Sequence, residues 1–161
     1  MKNVTVIHQN FESTVTQTAS ESYDCVILIN VLEHIEDDAQ ALAECRRMLR
    51  PEGRLLILVP ALRFLYSDLD AMVGHFRRYT RDTLCAGLTG AGFKIVLHSY
   101  FDCIGILPWW LLNTLGGATT FNPTLVKIYD RLFVPVTRLM ESRIAPPIGK
   151  NLVAVAHREA T

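Results

Sequence analysis

The first third of the chain contains no glycine, since none of its nine glycines precedes Gly53. A nucleotide-binding turn near the N-terminus needs glycine, because the backbone approaches a ligand closely only where no Cβ intervenes. We therefore expect no such turn there. The glycine-rich residues 87–92 do not replace it, because they follow a predicted helix and precede a predicted strand, the reverse of the order in a nucleotide-binding loop. We interpret them as a helix stop.

Excess charge of either sign is also lacking, because 16 basic and 16 acidic residues give a formal net charge of zero. No global field is therefore expected to recruit nucleic acid. The four cysteines lack the close pairs of zinc and redox motifs, and we expect them to be reduced and mostly buried. No second histidine lies at ligand spacing from His34, so the sequence predicts no metal site.

No apolar run is long enough to span a bilayer, which takes about 20 residues. The longest run, residues 104–112, contains Pro108. Polar residues interrupt the N-terminus too often for a secretion signal. We therefore expect a cytoplasmic protein without a transmembrane segment.

Apolar runs alternate with helical patterns, which is the order of an α/β sheet. Residues 25–29 and 55–59 are wholly apolar, as is typical of strands covered on both faces. Between them, apolar residues recur at helical spacing after a capping Asp37 or Asp38, and residues 50–53 end that helix. We predict a right-handed strand, helix and strand crossover in a parallel sheet. Further strands are predicted at residues 3–7, 93–97 and 152–156, with a helix capped by Thr80 before the second of these.

About fifty residues separate the last two predicted strands, which is more than an ordinary loop. We assign a helical and aromatic insertion to residues 99–150 of a single domain. Asn122 followed by Pro123 predicts a helix start, and Pro135 predicts a kink or split. Basic residues outnumber acidic ones in this helix. We expect its leucines and the nearby tryptophans to pack on a sheet edge, with a lid over an apolar substrate or a membrane-interface helix as the alternatives.

Polar residues follow the two central strands, where open α/β sheets bind ligands. Residues 23–27 and 30–37 resemble the fourth strand and the following loop of class I S-adenosylmethionine-dependent methyltransferases, and residues 49–57 are similar to the turn and fifth strand of that family. The resemblance implies a Rossmann-like α/β methyltransferase sheet that binds S-adenosyl-L-methionine. Three residues are implied to lie near its sulfonium or transferred methyl: Asn30, Val31 and His34.

The chain departs from the family at its N-terminus. Asn10, with Phe11, stands where the family carries an acidic residue that binds the adenine amino group; an amide oxygen accepts the same hydrogen bond, and an ordinary loop asparagine is the alternative. The family's glycine-rich turn and ribose-binding acid have no counterpart. The resemblance therefore implies a sheet that is incomplete at the N-terminus, with the first two strands missing. A start upstream of Met1 and a partner carrying those strands both remain open.

A basic segment after the fifth strand, residues 74–80, looks like one found in methyltransferases of polyprenyl and glycan metabolism. Its residue types suit the binding of an anionic acceptor and the removal of a proton. We predict His75 as the base, His34 as the second candidate, and Arg77, Arg78 and Tyr79 as acceptor-binding residues. The alternative for this segment is a helix start with surface arginines. For Glu33 and His34, the alternative is a solvated helix start.

Two functions are open at this point. The resemblance implies methyl transfer to a small-molecule acceptor or to one linked to a lipid or glycan, with peripheral membrane contact in the latter case. The other function is a catalytically silent domain that acts through a partner subunit or a membrane, because unpaired strand edges invite a partner or a second copy. Neither function involves nucleic acid.

Overall fold

A four-stranded sheet forms the centre of the computed structural model, which describes residues 6–120 and 122–159. The strands are β1 (Tyr23–Ile29), β2 (Leu49–Pro60), β3 (Phe93–Phe101) and β4 (Asn151–Arg158). The helices are α1 (Phe11–Gln17), α2 (Asp38–Met48), α3 (Asp68–Met72), α4 (Arg81–Gly90), α5 (Ile106–Trp109), α6 (Pro123–Ile128) and α7 (Val134–Glu141). The strand order is β1-β2-β4-β3, in which β1 and β2 are parallel and β4 runs antiparallel to both neighbours. The predicted β1, α2 and β2 unit and the α/β fold class are confirmed.

Side-chain caps begin three helices where the sequence predicted them. The carboxylate of Asp37 accepts the Gln40 N–H at 2.9 Å, and the Thr80 hydroxyl accepts the Thr83 N–H at 3.2 Å. Asn122 likewise accepts the Thr124 N–H at 2.9 Å. Each cap satisfies a backbone donor that has no partner within the helix. The stop after α4 is also confirmed, because Gly92 follows it with a φ of +81°, which favours glycine.

One face of the sheet carries the hydrophobic core. Leu28 of β1 lies beside Ile57 of β2, which lies beside Ala154 of β4. These side chains are buried together with residues of the helices over this face, among them Leu42, Cys45, Leu84 and Leu88. Each fully buried leucine or isoleucine contributes about 1.5–3 kcal/mol relative to exposure. This packing fixes the ends of β1 and β2, which position the candidate site.

The opposite face of the sheet is apolar but open. Ile27 and Ile29 of β1 are each 57% exposed, and their neighbours Leu56 and Leu58 on β2 are half-buried. The prediction that β1 is covered on both faces is therefore wrong for the described residues. The side chains of β1 alternate between the faces, so that Leu28 is buried in the core and half-buried Val26 packs against it.

The N-terminal segment differs from the sequence prediction where it is described. The strand predicted at residues 3–7 lies mostly outside the described residues, and Val6 and Ile7 are exposed and belong to no strand. A helix that the sequence analysis did not predict, α1, begins after Asn10. Of the cysteines, only Cys45 is fully buried and Cys25 is exposed, so the expectation of mostly buried thiols is wrong.

The insertion begins later than predicted, because β3 runs to Phe101. Its first helix, α5, continues as a π-helical turn, Trp110–Leu115, and α6 continues into α7 through a second such turn, Tyr129–Phe133. The widened turn lies just before Pro135, whose missing N–H removes a helical hydrogen bond. The helix is therefore not split at Pro135, since α6 and α7 are continuous through the widened turn. None of the described helices is both long and apolar enough to cross a membrane.

Most apolar side chains of the insertion face away from the core. The exposed ones are Leu107, Trp110, Leu111, Leu112, Leu115, Leu125, Val126, Ile128, Leu132, Phe133, Val136, Leu139, Met140, Ile144 and Ile148. The expectation that they pack on a sheet edge is wrong, because among the described residues of this segment only Ile106 and Trp109 pack against the core cluster. A leucine stripe in a sequence marks an apolar face but does not identify what covers it.

Candidate active site at the strand ends

A cleft of about 210 Å³ lies at the carboxyl ends of β1 and β2. It is lined by Asn30, Pro60, His75, Arg78, Trp109, Lys150 and Asn151. The cleft lies where the parallel strands predicted a ligand site. A larger, shallow depression of about 500 Å³ along β3 is lined mainly by Ile95, Val96 and Leu97 and offers less chemistry.

Asn30 turns the chain at the end of β1. Its φ of +50° lies in the left-handed region, which asparagine tolerates better than most residues. Its N–H donates to the Leu58 carbonyl at 2.9 Å, and a 3₁₀ turn, Leu32–His34, follows. Asn30 therefore lies at the cleft, whereas Val31 is half-buried and packs against the core.

Asp70 is a buried hub behind the cleft. Arg78 donates to both of its oxygens, at 3.0 and 3.1 Å, and both the N–H and the hydroxyl of Ser67 donate to it. The Nδ1 atom of His75 lies 2.8 Å from the same carboxylate. Burial alone would raise the pKa of Asp70, but the hydrogen bonds from Arg78 and His75 lower it. Asp70 is therefore an ionised anchor for both residues.

His75 is oriented by this anchor. A carboxylate only accepts hydrogen bonds, so in the neutral imidazole Nδ1 carries the proton and the lone pair is on Nε2. The backbone is also fixed, since the His75 N–H donates to the Asp70 carbonyl at 2.9 Å and the Tyr66 hydroxyl donates to the His75 carbonyl at 2.6 Å. His75, which the sequence predicts as the first candidate base, is thus held in a fixed orientation beside the cleft.

Glu33 is fully buried beside His75, with its Oε1 atom 3.9 Å from Nε2. Neither carboxylate oxygen has a hydrogen-bond partner of normal geometry among the described residues. Burial raises the pKa of Glu33, an effect that its own backbone and the two nearby histidines oppose. The solvated helix start is therefore wrong for Glu33. His34 is exposed, its Nδ1 lies 3.2 Å from the Gly74 carbonyl, and its ring meets that of His75 edge to face at 4.6 Å.

Arg77 and Tyr79 do not line the cleft, which corrects their assignment to the acceptor. The Arg77 guanidinium pairs with Asp38 at 2.8 Å and donates to the Glu36 carbonyl at 2.6 Å. The buried Tyr79 hydroxyl also donates to Asp38, at 2.8 Å, and burial and this hydrogen bond raise its pKa. Both residues therefore tie the segment after β2 to the start of α2.

Arg78 lines the cleft, but much of its hydrogen-bonding capacity is already used. Besides Asp70, it donates to the Ala61 carbonyl at 3.2 Å, and its guanidinium lies 4.7 Å from the Trp109 ring centroid. A guanidinium has five donors in a fixed fork, so little of it is left for an acceptor. Arg78 therefore holds Asp70 in place and forms part of the cleft wall.

Sequence analysis missed the residues that the insertion contributes. Lys150 pairs with Asp102 at 2.9 Å and lies 5.4 Å from the Trp109 ring centroid. The Trp109 indole donates to the Leu65 carbonyl at 3.0 Å. Asp70 was also missed, although Ser67 three residues earlier is a recognisable capping signal. No local signal marks Lys150, which is brought in by tertiary structure.

The sequence resembles known methyltransferases. A family model described as a methyltransferase domain matches residues 1–57. An uncharacterised 37.1 kDa transposon protein of Streptomyces fradiae is 42% identical over 91 residues, covering 54% of this chain and 26% of that protein. A probable S-adenosylmethionine-dependent methyltransferase of Mycolicibacterium smegmatis is 36% identical over 78 residues, covering 46% of this chain and 30% of that protein.

The fold agrees with solved structures over nearly the whole chain. A SAM dependent methyltransferase from Archaeoglobus fulgidus matches with a TM-score of 0.59 at 16% identity, covering 97% of this chain and 68% of that one. The chain has the fold of class I S-adenosylmethionine-dependent methyltransferases. A chain in the complex between the Haloferax volcanii Trm112 methyltransferase activator and a methyltransferase has a similar fold, with a TM-score of 0.58 at 15% identity, covering 94% of this chain and 60% of that one.

The chain spans only about a quarter to a third of the curated relatives, 26% and 30% of their lengths. Asn30 is in place at the strand end, but the Asn10 oxygen already accepts the Ser13 N–H at 2.9 Å, and Phe11 packs against the core. The cleft is also smaller than the roughly 300–1,000 Å³ of typical ligand pockets. The described residues therefore fit the methyl-bearing end of the cofactor but not its adenine and ribose.

Proposed function

We propose that the chain acts in methyl transfer from S-adenosyl-L-methionine to a small-molecule acceptor or to one linked to a lipid or glycan, and that the strand-end cleft is the acceptor side of the site. The observation that carries this proposal is the pairing of His75 with Asp70 beside Asn30. An oriented imidazole with a free Nε2 at the cofactor end of the sheet is suited to remove a proton from an acceptor hydroxyl or amine.

The roles of the residues follow from their contacts. The bound cofactor supplies an electrophilic methyl group. His75 receives the acceptor proton at Nε2, and Asp70 stabilises the resulting imidazolium through its 2.8 Å contact with Nδ1. Trp109 and Arg78 restrict water at one wall of the cleft, and Lys150 places a positive charge there. His34 remains the second candidate base, with its ring on the exposed side of His75.

The exposed insertion supports the lipid-linked acceptor. Apolar side chains and basic residues together favour the interface of an anionic membrane. The basic residues of α6, α7 and their surroundings are Lys127, Arg131, Arg138 and Arg143. Lys127 precedes the π-helical turn, Arg131 lies within it, and the other two follow it. Such a surface would bring the cleft close to an acceptor held in the bilayer.

We expect the chain to co-sediment with vesicles containing anionic lipid more strongly than with neutral vesicles. Replacing Leu115 and Leu132, which are 63% and 62% exposed, with serine should weaken binding at least tenfold, because burying a leucine contributes about 1.5–3 kcal/mol. The matched control is Val96→Ser, since Val96 is 65% exposed on β3. Equal binding by all three proteins would contradict the membrane contact.

The open sheet face favours a second candidate, a catalytically silent domain that acts through a partner. Ile27 and Ile29 present apolar surface that a partner subunit or a second copy would bury. The absence of glycine before Gly53 supports the same alternative, because a turn that brings the backbone close to a bound cofactor needs glycine.

Calorimetric titration with S-adenosylhomocysteine separates the two functions. Micromolar binding, about −8 kcal/mol, that weakens at least tenfold in the Asn30→Gly variant would support methyl transfer by the chain itself. Glycine keeps the left-handed backbone at this position and removes only the amide. His98→Asn, an exposed change on β3, is the control. No binding up to millimolar ligand by a folded sample would overturn autonomous catalysis and favour the partner-dependent domain.

A further inference from the structure

We propose that Glu33, His34 and His75 form a binding site for a divalent transition-metal ion. One carboxylate oxygen of Glu33 and one ring nitrogen of each histidine lie within 4.8 Å of one another. Sequence spacing gave no metal site because His75 lies far along the chain from the adjacent pair Glu33 and His34. The backbone brings the segments together, since the Phe76 N–H donates to the Glu33 carbonyl at 2.8 Å.

The gap between the ligands suits an ion rather than a hydrogen bond. Nε2 of His75 and Oε1 of Glu33 are 3.9 Å apart, beyond the roughly 3.2 Å limit of an N–H···O bond. A tetrahedral ion with bonds of about 2.0–2.1 Å holds its ligand atoms about 3.3 Å apart. A movement of roughly half an ångström brings these two atoms to that separation, and the three ligand atoms of the site lie within 4.8 Å of one another.

Both imidazoles are held as metal-binding histidines usually are. Nδ1 of His75 donates to the Asp70 carboxylate at 2.8 Å, and Nδ1 of His34 lies 3.2 Å from the Gly74 carbonyl. Donation from Nδ1 leaves the lone pair on Nε2, and a carboxylate partner increases the basicity of the ligand. Asp70 would thus be an outer partner of the site, fixed in turn by Arg78.

The buried carboxylate of Glu33 is an independent indication of a ligand. It is fully buried, and neither oxygen has a hydrogen-bond partner of normal geometry among the described residues. Buried carboxylates are ordinarily paired or bound to a metal. An ion between Glu33 and the two rings supplies the missing partner.

The donor set selects the class of ion. Two imidazoles and one carboxylate suit zinc, cobalt(II) or iron(II) and leave coordination positions for water or a substrate oxygen, whereas magnesium and calcium prefer oxygen ligands. Because His34 is exposed, the remaining positions face solvent. A bound ion occupies the His75 lone pair, so it would replace that residue as the group that promotes loss of the acceptor proton. Binding of the ion itself does not depend on the proposed function.

The test is titration of the chelator-treated chain with zinc by calorimetry and with cobalt(II) by visible absorption. We expect one ion per chain and the absorption bands of a cobalt site with nitrogen and oxygen ligands. Glu33→Gln and His75→Asn should each weaken binding roughly 100-fold or more, since loss of even an outer partner weakens metal sites 10–100-fold. Circular dichroism establishes that each variant is folded.

Three controls define the outcomes. His98→Asn and Glu36→Gln remove an exposed histidine and an exposed acid, and Cys25→Ser removes the exposed thiol; all three should bind zinc as the wild type does. Absence of binding up to millimolar zinc, or binding that survives the loss of Glu33 and His75, overturns the site. Titration of the same samples with S-adenosylhomocysteine separates the proposals, because cofactor binding without metal binding rejects only the metal site.

Discussion

Replacing Asp70 with asparagine is expected to lower the free energy of unfolding by about 3–5 kcal/mol. The Asp70 carboxylate accepts two hydrogen bonds from Arg78 at 3.0 and 3.1 Å, and both residues are buried. Removing the negative charge leaves a buried guanidinium uncompensated. The free-energy cost of that unpaired charge is larger than the net stabilisation that the intact ion pair provides. The same substitution removes one anchor of His75. Urea denaturation monitored by circular dichroism measures the effect.

The matched control for this prediction is Asp68→Asn on the same short helix. Asp68 is exposed, so its substitution should change the unfolding free energy by no more than about 0.5 kcal/mol. A second variant, Asp70→Asn combined with Arg78→Met, removes the uncompensated charge and should recover part of the loss. A loss of unfolding free energy below about 1 kcal/mol for Asp70→Asn, or no recovery of it in the double variant, would contradict this role of Asp70.

Features that depend on neighbours in sequence could be predicted, and features that depend on the fold could not. Asp37, Thr80 and Asn122 cap helices through hydrogen bonds to residues two or three positions away. Their roles are therefore encoded locally. The wholly apolar run of β2 likewise identified a central strand, because few other structures bury such a run.

Glu33 shows the limit of this reasoning. In sequence it belongs to a charged run, which usually marks a solvated helix start. The segment after β2 covers it, through the hydrogen bond from Phe76 and the ring of His75. The covering residues lie more than forty positions away, so no local pattern reports the burial.

The predictions that the apolar surfaces are buried were wrong for a related reason. Ile27, Ile29 and the leucines of the insertion have the patterns of core residues, yet they are exposed in the described chain. Periodicity identifies a face that favours burial, but the burying surface has to be present for the face to become core. The same residues therefore indicate where a partner or a bilayer would bind.

Replacing Glu33 with methionine is expected to raise the free energy of unfolding of the ion-free chain by about 1–3 kcal/mol. A buried polar group without a partner loses its hydration and gains nothing in return, and methionine fills a similar volume with apolar atoms. Exposed Glu36→Met is the matched control and should have little effect. Urea denaturation after chelator treatment measures both variants, and a loss of stability in Glu33→Met would contradict the prediction.

Added zinc should reverse this ranking. An ion that binds only the folded state stabilises it by about 2.7 kcal/mol at a hundred times its Kd, so the wild type gains stability while Glu33→Met does not. Without zinc, Glu33→Met is then more stable than the wild type. With zinc, it no longer is. A residue that weakens the ion-free fold but is required for ligand-linked stabilisation acts in binding rather than in folding. If zinc stabilised both proteins equally, the unpartnered carboxylate would be a defect of packing, and the cleft would depend on His75 and Asp70 alone.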